Sequence, residues 1–167
     1  YETALKKFTI PETVTTMESG CLLYVALEEL TVLGYDGFNM KNLNATAKKI
    51  ILNVPTVVKA GNSACETIII GEKVKRIEDN AFEGAAPLKE IVWPEHLEYL
   101  GSIDFSEFTE LEEINMPDKI DSGSVGISKM PASLKRAKFP EGKEIVYWEA
   151  FRKCTNLTEV QLPASIE

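Results

Sequence analysis

With 167 residues, 44% of them apolar, the chain has the size and core material of one ordinary domain. Its 26 Asp and Glu outweigh 18 Lys and Arg, for a net charge of −8, which argues against a nucleic-acid-binding face and against docking on an anionic membrane. The longest apolar-rich stretch, Cys21 to Leu27, is far short of the roughly 20 residues a transmembrane helix needs, so no membrane span is expected.

The first strand is expected at Leu5-Lys-Lys-Phe8-Thr-Ile10-Pro11, followed by Val14 and Met17 at turn positions. Within it, apolar residues three and five places after the Leu alternate with polar ones, the period of a strand half buried in a sheet. The Pro then ends the strand, because it cannot donate to a ladder. Looser copies follow at Leu27-Glu-Glu-Leu30-Thr-Val32 and Ala47-Lys-Lys-Ile50-Ile-Leu52. Cys65-Glu-Thr-Ile68-Ile-Ile70-Gly71 is clear again, with Val74, Ile77, Ala81 and Phe82 behind it. From there the units start 23 residues apart: Leu88 to Pro94, Leu111 to Pro117, Leu134 to Pro140 and Leu157 to Pro163. The strand slots therefore start at residues 5, 27, 47, 65, 88, 111, 134 and 157.

A unit of this length cannot bury its own apolar side chains, but stacked units bury them against one another. Strands one coil apart must run parallel. The expected fold is an α/β class, β-rich, right-handed solenoid forming a single domain over 1–167. A parallel sheet lies on one face and short helical or extended segments on the other. Phe82, Phe105 and Phe151 share one slot and are expected in the core. Asp79-Asn80 is read as the cap of a helical turn. Cys21, Cys65 and Cys154 are expected to fill core slots. They are odd in number and widely spaced, which is neither a disulfide framework nor a metal-knuckle pattern, and the redox compartment stays open.

The strings Ile77-Glu-Asp-Asn-Ala-Phe82 and Ala150-Phe-Arg-Lys-Cys-Thr-Asn-Leu157, with the Leu-x-x-Ile-x-x-Pro strands, resemble the BspA-like, Treponema-type leucine-rich repeats of bacterial surface proteins. The resemblance is close over 65–167 and at 5–17 and looser over 18–64. Cys154 sits where those repeats often bury a Cys; Ala85, Phe108 and Pro131 hold the equivalent slots here. Ser128 replaces the Phe of the 134 unit, and the segment from Asp121 to Gly126 is Ser- and Gly-rich, so that coil is expected to be irregular. The resemblance implies an extracellular or cell-surface protein that binds a protein or glycan at a cell surface or matrix, rather than an enzyme. A structural spacer within a larger surface protein is the alternative.

The outward slots carry the remaining signal. One place after the unit Leu the residues are Lys6, Glu28, Lys48, Glu66, Lys89, Glu112 and Lys135, and the next place mostly follows the same alternation. Opposite charges about 5 Å apart on neighbouring strands form a salt ladder. Four places after the Leu, β-branched Ile51, Ile69 and Val92 fall where solvent is expected, flanked by Asn115 and Lys138. These five residues are the candidate partner-binding site; β-propensity on a central strand is the other explanation of the three apolar ones. His96, the only histidine, is read as a surface turn residue, and no cofactor or metal is expected. The last unit stops in mid-coil at Ile166-Glu167, so further repeats of a longer parent, or end-to-end contact with another copy, are expected to cover it.

Overall fold

A computed structural model describes residues 5–123, 129–141 and 150–164. Eight parallel strands occupy the eight slots: β1 (Lys7–Ile10), β2 (Ala26–Val32), β4 (Thr46–Leu52), β6 (Thr67–Ile70), β8 (Glu90–Val92), β10 (Glu113–Asn115), β12 (Arg136–Lys138) and β13 (Glu159–Gln161). Their register follows the repeat residue for residue. Lys7, Glu29, Lys49, Thr67 and Glu90 stand abreast, and so do Thr9, Thr31, Ile51, Ile69 and Val92. Even the looser second and third units pair as the slots require.

The opposite face is extended rather than helical. It carries a second parallel sheet of five short strands, β3 (Phe38–Asn39), β5 (Thr56–Lys59), β7 (Arg76–Ile77), β9 (His96–Leu100) and β11 (Lys119–Gly123), in the order β11-β9-β7-β5-β3. Five coils thus have strands on both faces, and a sixth adds only a bridge from Glu141 to Lys119. About six two-faced turns form, fewer than the eight strand slots. Helix among the described residues is limited to two single 3₁₀ turns, Met40–Asn42 and Phe105–Glu107, each capped by the preceding Asn39 or Asp104. The expected helical cap at Asp79-Asn80 is instead a turn. Asn80 has φ 52°, and the Asp79 carboxylate accepts from Ser102 N–H of the next coil at 2.8 Å.

Between the two sheets runs one continuous core. Leu30, Ile50, Ile68, Leu88, Phe82, Phe108 and Leu134 are fully enclosed, and burying each such side chain contributes about 1.5–3 kcal/mol. Phe105 is buried too, whereas Phe151 is half-buried and packs edge-on to Phe139 with centroids 6.1 Å apart. Coils approach so closely that a side chain is excluded at some turns. A Cβ on Gly61 would lie 2.2 Å from the Phe82 carbonyl oxygen, and one on Gly34 would lie 2.1 Å from that of Pro11. Cys65 and Cys154 are buried as expected, but Cys21 is exposed. It lies in the turn before β2, where its neighbour Leu22 takes the core position instead. Ser128, Gly126, Ile166 and Glu167 lie outside the described residues.

Candidate functional site

The first sheet presents its outward side chains in rows across the coils. Two rows are the salt ladder. Glu28 meets Lys6 and Lys48 at 3.8 and 3.1 Å, and Glu29 meets Lys7 and Lys49 at 3.3 and 3.2 Å. Farther along, Lys89 meets Glu66 at 2.8 Å, Lys135 meets Glu112 at 2.8 Å and Arg136 meets Glu113 at 2.5 Å. Hydrogen bonds from these cations hold Glu29, Glu66 and Glu113 below the ordinary carboxylate pKa; for Glu113 the Asn115 amide is the first cause and Arg136 the second. Exposed pairs of this kind add little to stability, because solvent screens them.

The third row is apolar at its centre. Ile51, Ile69 and Val92 are direct neighbours in register. Ile51 and Ile69 are half-buried, and Val92 is 40% exposed. At the C-terminal ends of these strands, Glu12 of the first coil reaches Lys73 of the fourth at 2.5 Å.

Beyond Val92 the ladder opens. No strand pairing joins β8 to β10, and the first sheet divides there into five strands and three. Elsewhere the N–H one place after the unit Leu donates to the same slot of the preceding coil, as from Glu66 to Lys48, Lys89 to Glu66, Lys135 to Glu112 and Thr158 to Lys135. The bond from Glu112 to Lys89 is missing. In the repeat register Glu90 and Glu113 fall on the two sides of this gap, carboxylate toward carboxylate, an order that disfavours pairing. The rest of the coil contact is intact, since Thr109 N–H still reaches the Ala86 carbonyl at 2.9 Å.

The opening leaves a cleft of about 620 Å³, whose walls include Glu90, Val92, Trp93, Glu113, Asn115 and Met116. A second hollow of about 480 Å³ lies at the other end of the opening, against Lys89, Glu110 and Glu112. Trp93 stands edge-on to Phe82 at 6.0 Å, and its indole Nε1 is buried without an acceptor. Of the five candidate residues, Ile51, Ile69 and Val92 are thus brought together. Asn115 faces Val92 across the opening, with its amide on Glu113 at 2.7 Å, and Lys138 lies one coil further on, held by Asp118 at 2.7 Å. Slot-by-slot reading missed Glu90, Trp93 and Glu113. The adjacent glutamates of the 88 and 111 units were the signal.

His96 opens β9 rather than a turn, and its Nε2 meets Asp121 at 2.8 Å. Among the described residues no group of three His, Cys, Asp or Glu side chains is placed to hold a metal, and no helix is long and apolar enough to cross a membrane.

Neither curated proteins nor solved structures return a match to this chain. The family model for the BspA type leucine rich repeat region matches in six copies over residues 60–167. Parallel strands at the repeat spacing and the match over that span agree: the chain belongs to the BspA-type leucine-rich-repeat family.

Proposed function

We propose that this chain is a non-catalytic interaction module that works at the cell surface or outside the cell and binds a protein partner through its first sheet. One observation carries the reading. On a face whose neighbouring rows carry ion pairs, Ile51, Ile69 and Val92 form a contiguous apolar row, and it leads into the cleft faced by Asn115. Contiguous exposed apolar surface rimmed by polar groups marks interaction sites, and a solenoid sheet offers a broad, rigid platform for one. The surface location follows the bacterial surface proteins that carry such repeats.

The test is a binding screen of the chain against extracellular-matrix proteins and cell-surface glycans, with Ile69→Lys beside it. Capture by the native chain and a loss of tenfold or more in the variant is expected. Equal binding by both would remove the site from this face. A spacer without its own ligand is the second reading, favoured by the regular ion-pair ladder over the other rows; it predicts no capture by either chain.

A further inference from the structure

Among the described residues most carboxylates of the ladder have a cation beside them. Glu29 stands between Lys7 and Lys49, Glu113 takes Arg136, and Glu159 lies abreast of Arg136. Glu90 has Thr67 in register on one side and, across the opening, Glu113 on the other. Among the described residues it has no ion pair. Its nearest sequence neighbour, Lys89, is turned to Glu66 and Glu110.

Two further demands go unmet at the same place. The Lys89 carbonyl lacks the ladder donor that Glu112 would supply, and the Trp93 indole N–H has no acceptor. Of the carboxylates around the cleft, Glu113 and Asp118 are paired with Arg136 and Lys138, and Glu90 and Glu95 are left without an ion pair among the described residues. The Cα atoms of β8 and β10 still come within 8 Å of each other, too close for a whole strand to insert between them, which needs about 9.6 Å.

We propose that this opening is a socket for an arginine side chain of the protein partner, entering beside the Ile51–Ile69–Val92 row. The guanidinium would donate to the Glu90 carboxylate and to the Lys89 carbonyl, which the missing ladder bond leaves free. Arginine suits the site because its planar fork serves two acceptors at once. The protein already uses that arrangement on its second sheet, where Nε and Nη2 of Arg76 reach Oε1 and Oε2 of Glu78, at 2.5 and 3.4 Å. The inference rests on the sheet-face reading above and adds the chemistry of the partner.

The probe is a pair of short peptides, acetyl-Gly-Ile-Arg-Ile-Gly-amide and its citrulline counterpart, titrated into the full chain and followed by amide chemical shifts. The arginine peptide is expected to shift signals of residues 89–95 and 113–118. The citrulline peptide and the Glu90→Gln variant should each weaken binding at least fivefold. Glu90 is exposed and makes no ion pair among the described residues, so the Glu90→Gln variant is expected to fold. Equal affinity for the two peptides, unchanged binding to Glu90→Gln, or no saturable shift at the cleft overturns the socket. The face itself fails separately. A partner lost by Ile69→Lys but held unchanged by Glu90→Gln keeps the sheet-face reading and removes only the arginine.

Discussion

Cys21 and Cys65 carry the same thiol in opposite surroundings. Cys65 is enclosed in the core, where burial pushes its pKa up to about 12, and burial also raises that of Cys154. A thiol is reactive as the thiolate, so at pH 8 the exposed Cys21 should react alone. Titration with an aromatic disulfide reagent is expected to find one fast thiol in the native protein and three after denaturation; two or more fast thiols would contradict the placement of Cys65 and Cys154. The linkage has a definite sign. The unfolded chain ionises Cys65 near its ordinary value of 9.0 while the folded chain withholds it. This residue therefore costs stability as the pH climbs from about 9 toward 12. The cysteines also mark where reading residues in slots stops working. Cys65 starts a unit and its burial is legible. Cys21 lies in the irregular stretch before β2, where a shift of one place hands the core position to Leu22.

At the scale of strands, charge order decides continuity. The ladder opens where the row two places after the Leu brings Glu90 toward Glu113, whereas Glu113 and Arg136 on the next pair of strands are in register and joined by an ion pair. Glu90→Lys restores the alternation. It is expected to stabilise the protein by up to about 1 kcal/mol, the upper end for an exposed pair, and to raise the melting temperature by about 2–4 °C. The amide of Glu112 should exchange more slowly as well. A lower melting temperature in calorimetry would mean that the opening has another cause. The same ladder sets the acid response. Lysines hold Glu29 and Glu66, and the Asn115 amide followed by Arg136 holds Glu113, below their ordinary value of 4.5. Stability from these pairs is fully present above that value and drains away as the pH falls through the lower folded values. Melting temperature should therefore drop between pH 5 and pH 3, and less steeply in 0.5 M salt, which screens exposed pairs within about 5 Å. An identical slope in high salt would deny the pairs a role. The strands of the first sheet were readable because the repeat places Leu, Ile and Pro at constant offsets. The second sheet was not, since β3 and β7 are only two residues long and carry too little alternation to register as strands.

For the molecule as a whole, stacking determines what function can use. The inner coils bury their apolar slots against their neighbours, while Leu5 and Leu162 of the first and last coils stay exposed, so the interior offers core and the two sheet faces offer the broad surfaces. The first face is where the repeat is broken, by three β-branched residues and by the opening next to them. That row was legible in the sequence because its residues violate the alternation around them. The cleft was not, because it depends on which strands fail to pair. The second face supplies the internal control. Val58 on β5 is 38% exposed, close to the 40% of Val92, but it lies on the opposite sheet. The most direct measurement is the affinity of the partner captured in the screen for Ile69→Lys and Val58→Lys side by side, with both variants shown to melt cooperatively. Loss of binding in Ile69→Lys with native affinity in Val58→Lys is expected. Native affinity in Ile69→Lys, with or without loss in Val58→Lys, would contradict the assignment of function to the first sheet.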